Sequence, residues 1–359
     1  MTGRVCVIRA DASAAIGTGH VVRCRTLAAA LAARGWRICF AAREVAGLDA
    51  TLREIGEVVT IPATLDPLDE PRWLAERVPN DVAACVTDSY AIGADWQASA
   101  RAWARLIVAI DDIAEGPQDV DLLVNQNLGR SAAEYAGLVS VGVELLVGPR
   151  YALLRPEFAA AGRRLAPRTG QVHRALVFMG GSDAPDVTAR AAVACVRAGL
   201  AADVVVGPAY PRLASLRRWA KEQPLITLHH DVAYMADLMI AADVAIGAGG
   251  SASWERCSLG LPSVLVVLAE NQVAITDALV AGGCAISLGW HDQVDADAVL
   301  EVVTALRSRP DTVREMSAAT RRVTDGGGTE RVVDAIEACV AGRGIPAGGQ
   351  RPSPAAPAS

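Results

Sequence analysis

Short apolar runs alternate with amphipathic stretches along nearly the whole chain. In the first half Val5–Ile8, Arg37–Ala41, Val58–Ile61, Val82–Thr87, Leu106–Ile110 and Leu122–Val124 are apolar segments bounded by polar or glycine-containing turns, which predicts strands buried on both faces. Between them His20–Ala33, Leu48–Ile55, Glu70–Arg77 and Ala94–Ala104 read as helices; Val21, Leu27, Ala28, Leu31 and Ala32 recur at helical spacing in the first. Strand and helix alternating at this pitch predict a parallel sheet covered on both sides. The second half restarts the pattern. Ala175–Met179, Val204–Val206, Ile226–Leu228, Val244–Ile246 and Ser263–Val267 read as strands, and a helix is expected from about Asp186 to Ala198. Helices at Asp297–Arg307, Thr312–Val323 and Thr329–Ala341 follow.

The expected fold class is therefore α/β, with two Rossmann-like domains facing across a cleft. The 359 residues are too many for one comfortable core. A first domain is expected over 1–150, a linker over 151–170, a second domain over 171–328, and a C-terminal helix over 329–341. The stretch from Leu146 to Phe158 reads as linker because prolines bracket it, and 342–359, rich in Gly, Pro, Ala and Ser, reads as a disordered tail.

Composition narrows the partners. A net charge of −6 without a basic run gives no reason to expect nucleic acid. Eight cysteines without a Cys-x-x-Cys pair read as buried free thiols in a reducing compartment. No signal-type segment and no charge-free apolar run of about 18 residues occurs, so a soluble, cytoplasmic protein without a membrane partner is expected. The five histidines lack ligand spacing, and no metal or other cofactor is expected; His229-His230 read as solvated neighbours on a loop. Oligomeric state stays open.

In parallel sheets of this kind ligands bind beyond the carboxyl ends of the strands, so residues just after strands carry the chemistry. By that rule Asp11, His20, Asp88, Tyr90, Asp111, Asp112, Asn125 and Asn127 share one rim, although Asp and Asn there also form turns and helix caps. Ile16-Gly17-Thr18-Gly19-His20 is a strand-to-helix turn that puts His20 at a helix start. Unpartnered amides and the positive dipole end favour an anion there and a neutral imidazole, a potential base; a helix-cap or core histidine is the competing reading. The dinucleotide fingerprint is incomplete, because Val22 stands where Gly or Ala belongs, and no Walker loop occurs. In the second half Gly180-Gly181-Ser182 and Gly247-Ala248-Gly249-Gly250-Ser251-Ala252-Ser253 each follow a strand and precede a helix, so bare amides can approach a diphosphate. Glu255 reads either as a ribose ligand or as an acid in a helix's first turn. Asn271 and Gln272, after the next strand, can meet sugar hydroxyls.

Taken together, Arg9-Ala10-Asp11-Ala12-Ser13, Ile16 to Cys24, Asp88-Ser89-Tyr90, Gly180 to Asp183, Ile246 to Cys257 and Asn271-Gln272 resemble the UDP-2,4-diacetamido-2,4,6-trideoxy-β-L-altropyranose hydrolases of pseudaminic acid biosynthesis. The resemblance covers roughly residues 4 to 340 in order. It implies a GT-B architecture, UDP held mainly by the second domain, and a last helix returning to the first. It makes His20 the catalytic histidine and sets Tyr90 beside the sugar, with Gly17, Gly19, Arg23 and Asp88 near the substrate. Gly181, Gly249, Gly250, Ser251, Ser253 and Glu255 then surround the UDP, while Asn271 and Gln272 reach the sugar or diphosphate. One departure is Ser89, where the family commonly has histidine; it bears on the sugar more than on the reaction.

The expected chemistry is inverting hydrolysis at the anomeric carbon without a metal. Glycine-loop amides stabilise the departing diphosphate, His20 activates water from the opposite face, and Asp11 holds the imidazole tautomer. The alternatives are a UDP-sugar-dependent glycosyltransferase of the same architecture and a non-catalytic nucleotide-sugar binding module.

Overall fold

The computed structural model describes residues 4–11, 19–43 and 49–342; Gly17 and the residues beyond 342 lie outside them. Two parallel sheets organise the chain. The first holds β1 (Val5–Ala10), β2 (Arg37–Ala42), β3 (Glu57–Thr60), β4 (Val82–Asp88), β5 (Ile107–Ile110), β6 (Leu122–Asn125) and β7 (Glu144–Val147), in the order β3-β2-β1-β4-β5-β6-β7. Its helices are α1 (Gly19–Ala33), α2 (Asp49–Arg53), α3 (Glu70–Ala75) and α4 (Ala94–Ala100), and α5 (Pro156–Gly162) lies on the way to the second sheet.

That second sheet holds β8 (Arg174–Phe178), β9 (Ala201–Val206), β10 (Ile226–His230), β11 (Val244–Ala248), β12 (Ser263–Val267) and β13 (Ala285–Trp290), in the order β10-β9-β8-β11-β12-β13. Around it run α6 (Val187–Arg197), α7 (Leu213–Ala220), α8 (Met235–Ala241), α9 (Ala252–Ser258), α10 (Val273–Ala281), α11 (Ala296–Arg307) and α12 (Pro310–Arg321). In each sheet the first strand is central and the chain later crosses to its other side. That reversal opens a crevice at the strands' carboxyl ends, where ligands of such sheets bind.

Two strands depart from the expectation. Leu146 and Val147, read as the start of the linker, belong to β7, which pairs with β6 in the register Val124↔Leu146 and Asn125↔Val147. β13 is not among the expected strands; Gly289, with φ of 83°, interrupts its apolar pattern. His229 and His230 end β10 rather than lying on a loop, and His229 Nε2 stands 2.9 Å from the Asp203 carboxylate.

The last helix, α13 (Gly328–Gly342), returns to the first sheet. Val332, Val333, Ile336 and Val340 are buried in one cluster with Val21, Leu27 and Leu31 of α1 and with Cys6 and Ile8 of β1. Each such side chain contributes on the order of 2 kcal/mol by leaving water. Thr329 Oγ1 donates to the Leu154 carbonyl at 2.8 Å where the chain crosses back. A Cβ on Gly328 would stand 2.3 Å from the Ala152 carbonyl oxygen, so this crossing admits no side chain. Among the described residues no disulfide joins the cysteines, and seven of the eight are buried. Among the described residues no helix is long and apolar enough to cross a membrane.

Candidate active site

His20 occupies the first turn of α1 and is 6% exposed. Its Nδ1 stands 2.7 Å from Asp88 Oδ1, and Asp88 is the last residue of β4, paired in register with Ala10 at the end of β1. That contact assigns the proton to Nδ1, which donates to the carboxylate and leaves the Nε2 lone pair as the basic one. The Tyr90 ring meets the imidazole edge-on, with centroids 4.8 Å apart.

Two expectations are corrected here. The carboxylate that orients the imidazole is Asp88, not Asp11: Asp11 pairs with Arg9 Nη1 at 2.6 Å and accepts the Arg43 amide at 2.7 Å. Nor does the helix start hold the ring's pKa down. Burial pushes it down, but the charge and hydrogen bond of Asp88 more than offset that, and the pKa is raised above its usual 6.5. A full carboxylate in contact outweighs the fractional charge of a helix end.

Arg23, expected beside the substrate, is instead buried as a brace. Its Nε donates to Asp88 Oδ2 at 2.7 Å and its Nη2 to Oδ1 at 2.6 Å, while Nη1 reaches Asp112 Oδ1 at 2.9 Å. His20 and Arg23 are one helical turn apart, so a single carboxylate engages both. Burial raises the Asp88 pKa, but Arg23 and His20 together carry it well below the ordinary carboxylate range. Asp112, one of the rim residues, extends the chain of contacts: the Tyr90 hydroxyl donates to its Oδ2 at 3.3 Å. Asp111 turns away to accept from the Tyr135 hydroxyl at 2.8 Å. Asn125 and Asn127 serve this local framework, with Asn125 Nδ2 donating to Tyr135 and Asn127 Nδ2 to Asp112.

The second domain meets this wall directly. Asn271 Nδ2 donates to the Tyr90 hydroxyl at 3.3 Å, and Ser251 Oγ lies 3.5 Å from where a Cβ on Gly19 would be. The imidazole turn and the β11–α9 glycine loop therefore face one another across a narrow gap. Within that loop the positions differ in kind. A Cβ on Gly249 would stand 2.2 Å from Thr276 Oγ1, so packing against α10 explains that glycine. One on Gly250 would meet only Gln272 Nε2, at 3.8 Å. Gln272 itself accepts from the Leu268 amide, which ties its carbonyl oxygen into the neighbouring turn.

Ser253, expected among the groups around a nucleotide, is 1% exposed, and its Oγ accepts from Arg256 Nη2 at 2.9 Å; it supports the loop from below. Glu255 lies 3.8 Å from Arg155, and burial, opposed by Arg155 and Arg256, pushes its pKa up to about 7. In the other glycine turn Gly180 has φ of 97°, and Gly207 approaches Gly181 so closely that a Cβ would stand 2.4 Å from the Gly181 carbonyl oxygen. Asp183 accepts the Val187 and Thr188 amides that open α6. A cavity of about 380 Å³ lies behind Tyr90, lined by Trp96, Asp111 and Gln118; His20 is not part of it, and it adjoins the gap rather than forming it. Among the described residues no group of three His, Cys, Asp or Glu side chains gathers with metal-binding geometry.

No family model matches the chain. The spore coat polysaccharide biosynthesis protein SpsG of Bacillus subtilis (strain 168) is 27% identical over 194 residues, 53% of this chain and 57% of that protein. The match thus spans little more than half of that relative's length. Among solved structures, MurG of Acinetobacter baumannii aligns with a TM-score of 0.64 at 14% identity, over 94% of this chain and 99% of MurG. UGT2 of Phytolacca americana, solved with UDP-2fluoro-glucose and pterostilbene, aligns at 0.62 and 14% identity over 94% and 99% of the two chains. Identities this low speak to fold alone. The chain has the GT-B fold, two Rossmann-like domains whose carboxyl-end rims face each other.

Proposed function

We propose that the protein uses a nucleotide-activated sugar, breaking the bond between C1 and the diphosphate in the gap between the two domains. The observation that carries this reading is the Asp88–His20 pair, whose Nε2 has no partner among the described residues, set opposite a glycine loop. The loop's amides bind the leaving diphosphate, and Nε2 accepts the proton of the attacking hydroxyl as it closes on C1 from the other side. Attack opposite the leaving group inverts the anomeric centre. Tyr90 and Asn271, joined across the gap, flank the sugar.

Transfer to an organic hydroxyl is the reading that the likenesses favour. UGT2 was solved with a UDP-sugar analogue together with pterostilbene, and the name of SpsG assigns it to polysaccharide biosynthesis. Hydrolysis of UDP-2,4-diacetamido-2,4,6-trideoxy-β-L-altropyranose, which the motif resemblance implies, is the second reading. It is favoured by one observation: with His20 6% exposed and Asn271 bonded to Tyr90, access to the base is narrow enough to suit water. Incubation with UDP-sugar separates them. UDP release without acceptor means hydrolysis, release only with a hydroxyl acceptor means transfer, and binding without release under either condition removes both.

The glycine loop has its own test. Gly250 has room for a side chain within the protein, so Gly250→Val is expected to fold and to weaken UDP binding by about tenfold or more through crowding of the diphosphate. Titration calorimetry reads this directly, and an unchanged affinity argues against the loop as the diphosphate site.

A further inference from the structure

Beneath the β11–α9 loop lies a cation that Glu255 attracts without forming an ion pair with it. Arg256 is 2% exposed; its Nη2 donates to the Ala248 carbonyl at 2.8 Å and to Ser253 Oγ at 2.9 Å, and its Nε has no hydrogen-bond partner among the described residues. Its Nη1 lies 2.6 Å from where a Cβ on Gly247 would stand, so the guanidinium runs directly under the loop backbone. Among the described residues no carboxylate forms an ion pair with it. Burial pushes its pKa down to about 10, which still leaves it charged at neutral pH.

Other arginines away from solvent show how unusual this is. Arg9 pairs with Glu70, and Arg23 with Asp88 and Asp112. Arg168, half-buried and likewise without an ion pair among the described residues, spends Nε, Nη1 and Nη2 on three carbonyls, those of Gly260, Ala242 and Met239. Among the described residues Arg256 has neither an ion-paired acid nor a full set of acceptors. A buried charge without a hydrogen-bonded ion pair is costly, and an anion at the loop would complete the site.

We propose that Arg256 is a positioning residue for the diphosphate, supplying a fixed positive charge beneath the Gly247-Ala248-Gly249-Gly250 loop while it holds that loop's carbonyl in place. This rests on the nucleotide-sugar reading and deepens it. The guanidinium needs no contact with the ligand, because in a low-dielectric interior a charge under a thin loop still acts on an anion above it. Its bonds to Ala248 and Ser253 turn the loop's acceptors downward and leave amides for the diphosphate.

The test compares uridine with UDP, since only UDP carries the diphosphate. Wild-type protein is expected to bind UDP the more tightly. Arg256→Gln keeps a donor for the loop carbonyl but removes the charge; it is expected to reduce the UDP-to-uridine affinity ratio by about tenfold, with uridine affinity nearly unchanged. Arg256→Lys, which restores the charge, is expected to keep the ratio within about threefold of wild type. A purely structural arginine predicts that Arg256→Gln weakens both ligands alike, and that result, or an unchanged ratio, overturns the proposal. Should Arg256→Gln not fold, Arg256→Lys decides: a retained ratio supports the proposal and a lost one overturns it. Wild-type protein that shows no preference for UDP over uridine brings down the nucleotide reading itself.

Discussion

His20→Asn is expected to bind UDP as tightly as wild-type protein and to lose turnover by on the order of 10²-fold or more, the range for removing a general base. Asparagine can still donate to Asp88 from the ring's position, so the carboxylate and its partner Arg23 keep their places. What disappears is the acceptor at Nε2. Because the proposed nucleotide contacts lie on the second domain, affinity and turnover separate cleanly: calorimetry reads the first and UDP release under saturating substrate reads the second. Near-wild-type turnover in a folded His20→Asn protein would remove the histidine from the chemistry.

Replacing Asp88 by Asn is expected to have the second large effect, in three readouts. The first is turnover, which falls by about 10²-fold or more because an amide can hold the wrong imidazole tautomer. The second is the pH profile. The ring accepts a proton only when neutral, so kcat/KM of the wild type declines as pH drops through the raised His20 pKa. Without the carboxylate only burial remains as the main influence, and that acid limb moves to lower pH. A lesion that merely loosened packing would lower the plateau without moving the limb. The third is stability. Arg23 keeps only Asp112 as a partner, and breaking a buried ion pair of this kind costs about 3–5 kcal/mol. The signs of the two linked groups are opposite. Asp88, depressed in the fold, contributes fully above its ordinary 3.8 and loses that contribution as pH falls through its folded value. His20, raised in the fold, contributes fully below 6.5 and loses that share as pH rises through its folded value.

Much of the fold was legible because buried parallel strands are written as uninterrupted apolar runs, and eleven of the thirteen strands among the described residues lie where such runs occur. β7 escaped because it runs straight into Gly148-Pro149, whose turn residues extend the linker reading back over Leu146 and Val147. β13 escaped because Gly289 breaks its pattern. The site was legible as a rim but not as a set of contacts. Asp11 and Asp88 both follow or end a strand, and no spacing tells which one reaches His20. That depends on β4 lying beside β1, which is a property of the sheet order. Arg23 carries a signal that could have been read: at three residues from His20 it shares a helix face, so any acid meeting one meets the other. Arg256 carries none. An arginine in a helix's second turn looks solvent-bound in a sequence, and only burial reveals that its charge is kept inside.

The returning helix α13 bears on how the molecule is made. Val332, Val333, Ile336 and Val340 fill the interior of the lobe that is synthesised first, yet they leave the ribosome after every strand of the second lobe. Until then the first lobe displays an uncovered apolar face, the kind of surface on which nascent chains associate wrongly. The lobe translated later is thus the first able to finish folding, and vectorial synthesis leaves the histidine-bearing half waiting for its lid.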